Sequence, residues 1–443
     1  MSFTTEQLKH QLSALASGEP SRRFVVAFSG GLDSTVLLHA LRQIQEDMAI
    51  PMVAVHVQHD LHADAGEWES HCKKIASGLS VDYVNIAIEV DRKSGQGLEA
   101  SARTSRYQAL QQIMKPGDWL LSAHHQDDQA ETLLLNLLRG SGMAGLAGIG
   151  AIQEFGPAKL VRPLLDVPRE DLQAYAKSHD LTWLDDPSNA DTQFDRNYLR
   201  HSIIPKLKER WPAASAKLAR SATLASEASA LLDHLADDDL RSLGQPQRIE
   251  IAALAALPDD RQRNALRRAL KLSGLSSPPT TALRQIIDEL IPAKPDAEPL
   301  VRWTGTQARR YRDHLYLLPE MADEPTGQSH KLDAEDRSVD LPGLGRISLN
   351  ERGPAGIKCS VIEAGLEIRF RTGGEEICPA GHDCTHKLKK LLQQKAIVPW
   401  MRDRIPLLYA GNHLVAVANL WIASEDADNN GLSISWDHHP EIY

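Results

Sequence analysis

Between Arg23 and about His201, short apolar runs alternate with amphipathic stretches of helix length. FVVAF (24–28), MVAVHV (52–57), VDYVNIAI (81–88) and DWLLSA (118–123) read as strands, with helical periods at about 33–46, 65–79, 98–114 and 127–138 between them. Strands joined by helix-length connections pair in parallel and are covered by helices on both faces. The pattern predicts an α/β domain over residues 1–215, with ligands at the carboxyl ends of its strands.

The pattern changes after Pro205. Residues 206–290 show no convincing strand; an Ala/Leu-rich stretch carries heptad-like Leu218, Leu224, Leu231 and Leu235, and DDRQRNALRRAL (259–270) and TALRQIIDEL (281–290) are helical in period. A small, mainly helical domain is predicted over 216–320, ending in the extended VRWTGTQARRYRDHLYLLP (301–319). MADEPTGQSHKLDAEDR (321–337) reads as a polar linker within an entry segment, 321–355. In the last domain, 356–443, Leu366, Ile368 and Phe370 alternate as on a half-buried strand, HKLKKLLQQK is helical, and LVAVANLWIA (414–423) returns to strand. That mixture predicts a small α+β fold.

A chain of 443 residues exceeds what one core usually supports, which agrees with several domains. The formal charge of -10 argues against a basic coat over the whole surface, so any nucleic-acid contact must rest on local patches. Four cysteines form no disulfide framework, and no apolar run approaches the roughly 20 residues needed to cross a bilayer. The start lacks the features of a secretory signal, so a cytoplasmic protein with no membrane partner is expected.

RRFVVAFSGGLDSTVLLHAL places a small-residue turn, Ser29–Gly30–Gly31–Leu32–Asp33–Ser34, between a strand and a helix opening near Asp33. Glycines permit a tight turn with amides close to a phosphate, and the helix start adds N–H groups and a positive dipole end. Asp33 beside a triphosphate is repulsive unless a cation compensates, which implies Mg²⁺ with Asp33 as its ligand. The Walker pattern ending in Lys-Ser/Thr is absent, which disfavours a γ-phosphate-transferring NTPase. An ordinary Gly-Gly turn is the bland alternative, but it leaves Asp33 and Ser34 without purpose.

HHQDDQAETLLLNLLRG follows the fourth strand, so His124 and His125 also lie at a carboxyl edge, with Asp127, Asp128 and Glu131 in the next helical turns. Helix capping explains one or two of these acids, but not the acids and paired histidines together. Arg103 and Arg106 share a helical face, and Arg103 is the preferred phosphoryl-contacting arginine. His59 and His62 follow the second strand and are as readily solvated loop residues as site residues.

Positive charge is grouped. Residues 196–220 hold seven Lys/Arg against one Glu, including Arg200, Lys206, Lys208 and Arg210. Further groups are Arg261, Arg263, Arg267, Arg268 and Lys271, then Arg302, Arg309, Arg310 and Arg312. In the last domain Lys387, Lys389, Lys390, Lys395, Arg402 and Arg404 cluster near Trp400. Such patches suit phosphate contacts, although the 261–271 group reads better as a solvated face. CPAGHDCTH (378–386) has zinc-ligand residue types in Cys378, His382, Cys384 and His386, but compressed spacing favours an ordinary loop.

The six-residue turn resembles the PP-loop of ATP pyrophosphatases. With HHQDDQAET, FDRNYLR (194–200) and RTGGEE…KLKKLLQQKAIVPWMRDRIPLLY, the chain resembles the tRNA(Ile)-lysidine synthetase family over almost its whole length. The resemblance implies a Rossmann-like parallel sheet bearing the PP-loop, followed by helical and α+β tRNA-binding domains. It implies that ATP activates C2 of the wobble cytidine (position 34) in tRNA(Ile) with a CAU anticodon. Free L-lysine then attacks, giving lysidine, AMP and pyrophosphate, so that the product decodes AUA.

The resemblance also assigns residues. Asp33, Arg103, His124 and Glu131 match catalytic positions, Asp128 and Glu131 fall at lysine-recognition or active-site positions, and Arg196, Asn197 and Arg200 fall in the family's RN-containing segment near the active site, with Arg196 also expected at the lysine. Arg200, Lys206, Lys208, Arg210, Lys387, Lys389, Lys390, Arg402 and Arg404 are the expected tRNA contacts. A homodimer is implied by the resemblance alone. Alternatives are a tRNA thiolase, disfavoured by the lack of any CxxC, another PP-loop amidoligase, and a non-enzymatic tRNA-binding module.

Overall fold

The computed structural model describes the chain except residues 1–2, 17–20, 60–64, 89–97, 188–190, 295–296, 324, 326, 333–335, 354–355 and 443. His62 lies outside the described residues, as does the side chain of His59. Two compact units are present, Met1–Asp233 and His234–Tyr443. No helix among the described residues is long and apolar enough to cross a membrane.

The first unit is built on β1 (Arg23–Ala27), β2 (Met52–His59), β3 (Asp82–Ile88), β4 (Asp118–Leu121), β5 (Ile152–Phe155) and β6 (Ala158–Val161). Their order is β3-β2-β1-β4-β6-β5, parallel except for the β5–β6 hairpin. The predicted α/β class and all four predicted strands are therefore present. Alternate residues of β1 enter different cores: Phe24 and Val26 pack with Leu8, Leu37, Leu41 and Leu172, while Val25 packs with Leu110, Leu120 and Leu160. Both sheet faces are thus covered, which explains why these strands read as continuous apolar runs rather than half-buried alternations.

From β1 the chain first fills one side of the sheet, through β2 and β3, and then returns to β4 on the other. Val26 is in register with Leu121, so the segments leaving β1 and β4 emerge side by side at a topological switch point. After β1 comes α2 (Leu32–Met48), and after β4 comes α5 (Gln126–Leu138). Later in the unit, α7 (Arg169–Ser178) is followed by α8 (Asp195–Tyr198), a π turn Leu199–Ile203 and α9 (Ile204–Arg210). The Ala/Leu-rich stretch forms one 30-residue helix, α10 (Ala214–Leu243), which runs through the 215/216 boundary expected from the sequence.

In the second unit the middle region is more mixed than its helical reading. Five antiparallel strands, Gly244–Gln245, Arg248–Glu250, His314–Pro319, Thr306–Tyr311 and Leu300–Trp303, support helices Asp259–Leu272 and Thr280–Gln285. The first two strands were invisible because two or three residues carry no alternation. Their shared core includes Leu266, Leu270, Leu283, Leu315 and Leu317.

The end region has two five-stranded sheets around Ile347, Ile368, Leu392, Leu408 and Val415. The expected linker 321–337 is corrected in part: Ser329–Leu332 is a strand paired with Leu366–Arg369, and Leu332 is buried. Its polar alternate positions lie on the exposed side, which gave the segment its linker-like composition.

Asp127 ties the start of α5 to three other elements. One carboxylate oxygen accepts from Lys208 Nζ at 2.9 Å and Ser215 Oγ at 2.7 Å, and the other from the Arg169 amide at 3.1 Å. Burial pushes its carboxyl up, but these donors hold it below the usual range. Asp127→Ala is expected to destabilise the first unit by about 3 kcal/mol, because Lys208 and two polar groups lose their acceptor. The urea midpoint of that unit should fall accordingly.

Candidate active site

The turn after β1 is shaped by its glycines. Gly30 has a φ of +79°, and a Cβ there would lie 2.7 Å from Cys72 Sγ and 3.1 Å from Trp68 Nε1. Trp68 Nε1 donates to the Ser29 carbonyl at 2.7 Å, and the Gly30 carbonyl accepts from the Leu184 amide at 3.0 Å. Gly31 occupies the cap of α2 and supplies no side-chain acceptor, so the first-turn amides face the position where a phosphate would sit. Ser29 and Ser34 hydroxyls lie 3.0 Å apart, and Ser34 Oγ also donates to the Gly31 carbonyl at 3.1 Å.

At the neighbouring strand end, His125 caps α5. Its Nδ1 accepts from the Asp128 amide at 3.4 Å, while the Asp128 carboxylate accepts from the His125 amide at 3.0 Å. The other ring nitrogen, Nε2, lies 3.5 Å from both Asp33 Oδ2 and Asp128 Oδ2. One histidine therefore links the two loops. Burial alone would depress its pKa, but Asp128, Asp33 and Asp127 more than offset this and raise it. The cap bond occupies Nδ1 as an acceptor, so in that arrangement the ring's proton sits on Nε2, facing both carboxylates.

Beyond the cap, Asp128 and Glu131 meet two guanidinium groups. Arg196 reaches Asp128 Oδ1 at 3.1 Å and Glu131 Oε2 at 2.8 Å; Arg200 reaches Asp128 Oδ1 at 3.1 Å and Glu131 Oε1 at 2.6 Å. Glu131 is 1% exposed and Asp128 8%. Burial pushes the Asp128 carboxyl up, but His125, Arg196, His124 and the His125 amide together bring it down to about 2. This lies below the ordinary value of ~3.9, so the contribution to stability is full above that value and is lost as pH falls toward 2.

His124 differs from its neighbour. Burial, opposed by Asp128 but reinforced by Arg162, Arg196 and Arg103, pushes its pKa down to about 4, so the ring is neutral at pH 7. Ser122 Oγ sits 2.7 Å from its Nδ1; when that hydroxyl donates, Nε2 carries the proton and becomes a hydrogen-bond donor. Arg103 is exposed, with its guanidinium 5.2 Å from the Tyr107 ring centroid, and its charge reaches His124.

Asp33 Oδ1 is buried without a hydrogen-bond partner, and Arg169 Nε approaches it only to 3.8 Å. An orphaned hard oxygen beside a phosphate-shaped turn fits a divalent cation such as Mg²⁺. Asp128 and Glu131 are matched one for one by Arg196 and Arg200, while Asp33 has the His125 ring at 3.5 Å and the longer approach of Arg169.

Most predicted site residues converge here, including the PP-loop, His124, Asp128, Glu131 and Arg196. Arg200, expected to contact tRNA, instead belongs to the carboxylate clamp. Lys208 is held by Asp127 and Glu170, at 2.9 and 3.3 Å. Arg404 is buried and donates to the Trp400 and Ala322 carbonyls, while Arg402 donates to the Ile397 carbonyl and Tyr311 hydroxyl. These cations are engaged in internal contacts, and those of Arg402 and Arg404 tie the end region to Tyr311 and Ala322 within the second unit. Lys206, Arg210, Lys387, Lys389 and Lys390 remain exposed.

Buried Arg162 was missed by sequence reading; it donates to the Gly150 carbonyl at 2.6 Å and bears on His124. Cys72 is fully buried, which pushes its thiol up to about 12 and removes it as a sulfur nucleophile. Cys384 Sγ lies 3.4 Å from His386 Nε2, the His382 and His386 rings are 5.4 Å apart, and Cys378 Sγ is turned to the His382 carbonyl at 3.4 Å. Among the described residues, the group meeting metal-ligand geometry is His413, Glu425 and Asp426, where His413 Nε2 already lies 2.6 Å from Asp426.

Gly30→Ala should weaken ATP binding at least tenfold by calorimetry, because the added methyl forces the turn to shift. Its far-UV spectrum should match the wild type.

Residues 4–207 match the PP-loop domain family, 250–316 the TilS substrate binding domain and 366–436 the TilS substrate C-terminal domain. The tRNA(Ile)-lysidine synthase of Alkalilimnicola ehrlichii is 43% identical over 440 residues, covering 99% of this chain and 98% of its own. That of Coxiella burnetii is 38% identical, covering 98% and 96%. A solved U34-tRNA thiolase from Methanococcus maripaludis aligns with 49% of this chain and 76% of its own at 16% identity, with a TM-score of 0.42. On the near full-length identity to curated relatives, the chain belongs to the tRNA(Ile)-lysidine synthase family.

Proposed function

We propose that the chain joins L-lysine to C2 of the wobble cytidine in a CAU-anticodon tRNA(Ile), using ATP and releasing AMP and pyrophosphate. The observation that carries this reading is the switch-point site, where the PP-loop and the His124–Glu131 segment meet, in a chain of this family. The proposed place of action is the cytoplasm, where the tRNA is found.

The reaction divides into two displacements. The C2 oxygen attacks the α-phosphorus and the bond to pyrophosphate breaks, turning a poor leaving group into a phosphate ester. The ε-amine then attacks C2, and the C2–O bond breaks as AMP departs. Bound Mg²⁺, with Asp33 as its protein ligand, would supply charge neutralisation at the phosphates.

The chain's own contributions follow from the geometry. First-turn amides of α2, with Ser29 and Ser34, hold the polyphosphate and aim positive charge at developing negative charge. His124, as a neutral donor through Nε2, stabilises the phosphoryl oxygen without carrying a charge of its own. Arg103, which lies over the Tyr107 ring, is the arginine proposed to reach a phosphoryl oxygen.

Lysine enters as an ammonium with a reference pKa near ~10.4 and must lose a proton before attack. The adjacent carboxylates of Asp128 and Glu131 support a role in holding it. Arg196 and Arg200 hold both carboxylates in place, so recognition requires lysine to share or displace part of the clamp.

Purified protein with ATP, Mg²⁺ and labelled lysine should label tRNA(Ile) with a CAU anticodon and leave methionine tRNA unlabelled. Asp33→Asn should reduce pyrophosphate release at least a hundredfold. Pyrophosphate released for another acceptor, with neither tRNA labelled, rejects the assignment.

The two half-reactions should separate by residue. His124→Asn should slow single-turnover adenylation, and the wild-type rate should show no inflection from His124 between pH 6 and 8, because that ring titrates at about 4. Glu131→Gln should raise the lysine KM and slow turnover of pre-adenylated tRNA. Unchanged values in either case remove the corresponding role.

A further inference from the structure

The segment from Phe194 to Trp211 has a second face that the chemistry above does not use. Arg196 and Arg200 point inward to Asp128 and Glu131, with Leu199 and Ile204 buried beside them. On the outward side, Phe194 is 42% exposed and Tyr198 49%, and Trp211 just beyond α9 is 60% exposed. These are the exposed phenylalanine, tyrosine and tryptophan residues among the described part of the chain. All three fall within one helical run and its ends.

Phe194 and Tyr198 are one turn apart, with the Tyr198 amide donating to the Phe194 carbonyl at 2.9 Å, so their side chains share a face. Arg196 lies between them in sequence, placing this face within a turn of the carboxylate cluster. Exposed basic groups continue along the segment at Lys206, Arg210, Lys217 and Arg220. A surface of flat apolar rings bordered by cations suits a partner with flat apolar faces on a polyanionic backbone. Unpaired nucleotides have that chemistry.

We propose that Phe194 and Tyr198 form a stacking platform for the anticodon-loop base beside the reacting cytidine, with Trp211 receiving a further unpaired nucleotide. This rests on the function proposed above and deepens it. A cytidine drawn into the site loses its stacking partners, and its neighbour must be held open for C2 to reach the nucleotide. The platform replaces the lost stacking with protein rings. Arg196 and Arg200, on the opposite face of the same helix, fix the distance from platform to catalytic cluster. Phe194 and Tyr198 are thus positioning residues.

The test uses the full chain and a tRNA(Ile) anticodon stem-loop whose second anticodon base, adenine, is replaced by 2-aminopurine. Wild-type protein should quench its fluorescence on binding. Phe194→Ala and Tyr198→Ala should each weaken quenching and raise the tRNA KM about tenfold, with ATP and lysine KM within twofold of wild type. Tyr198→Phe should restore both readouts. Absence of quenching by the wild type, or full quenching and an unchanged tRNA KM in the double alanine variant, overturns the platform. A wild type that quenches fully yet transfers no lysine supports the platform and overturns the proposed reaction instead.

Discussion

The start of α5 is the constraint on which the active site depends. His125 must accept the Asp128 amide to begin that helix, and the same ring bridges Asp33 and Asp128. A cap of this kind contributes about 1 kcal/mol locally. Its larger effect is geometric, because it fixes the distance between the phosphate turn after β1 and the acids after β4. The guanidinium clamp then acts on carboxylates already held by the helix start. A buried clamp contributes little to net stability once desolvation is counted, so its benefit lies in orientation.

The first unit was legible in sequence because its buried parallel strands are uninterrupted apolar runs and its site lies at strand ends. FVVAF and DWLLSA indicated where the chain enters the site, and SGGLDS and HHQDDQAET supplied the chemistry. The three acids near the start of α5, of which capping was expected to explain one or two, divide into three uses. Asp128 completes the cap, Asp127 binds Lys208 and Ser215, and Glu131 faces the two arginines. Sequence spacing gives which face an acid shares. It does not give which distant element supplies the partner, and the pairing of Arg200 with Glu131 and Asp128 was not legible for that reason.

The second unit shows the opposite balance. Its very short strands carry too few residues for alternation, and the strand Ser329–Leu332 has the composition of a linker because only Leu332 is buried. Clustered positive charge also misleads. Arg402 and Arg404 sit among basic neighbours, but their heads satisfy backbone carbonyls and a tyrosine hydroxyl. Guanidinium groups often act as internal hydrogen-bond donors, so a count of cations overstates the surface available to phosphate.

The π turn at Leu199–Ile203 lies within and just after the stretch that carries both clamp arginines. Each residue of a helix advances the face by about 100°. Losing or gaining one residue between Arg200 and α9 would change the angle between the arginine-bearing stretch and the rest of the helix, which Lys208 and Asp127 hold in place. A length change that a surface loop absorbs easily would here turn the guanidinium groups away from their acids. A change of length in this segment would therefore disturb the clamp more than most single-residue exchanges there.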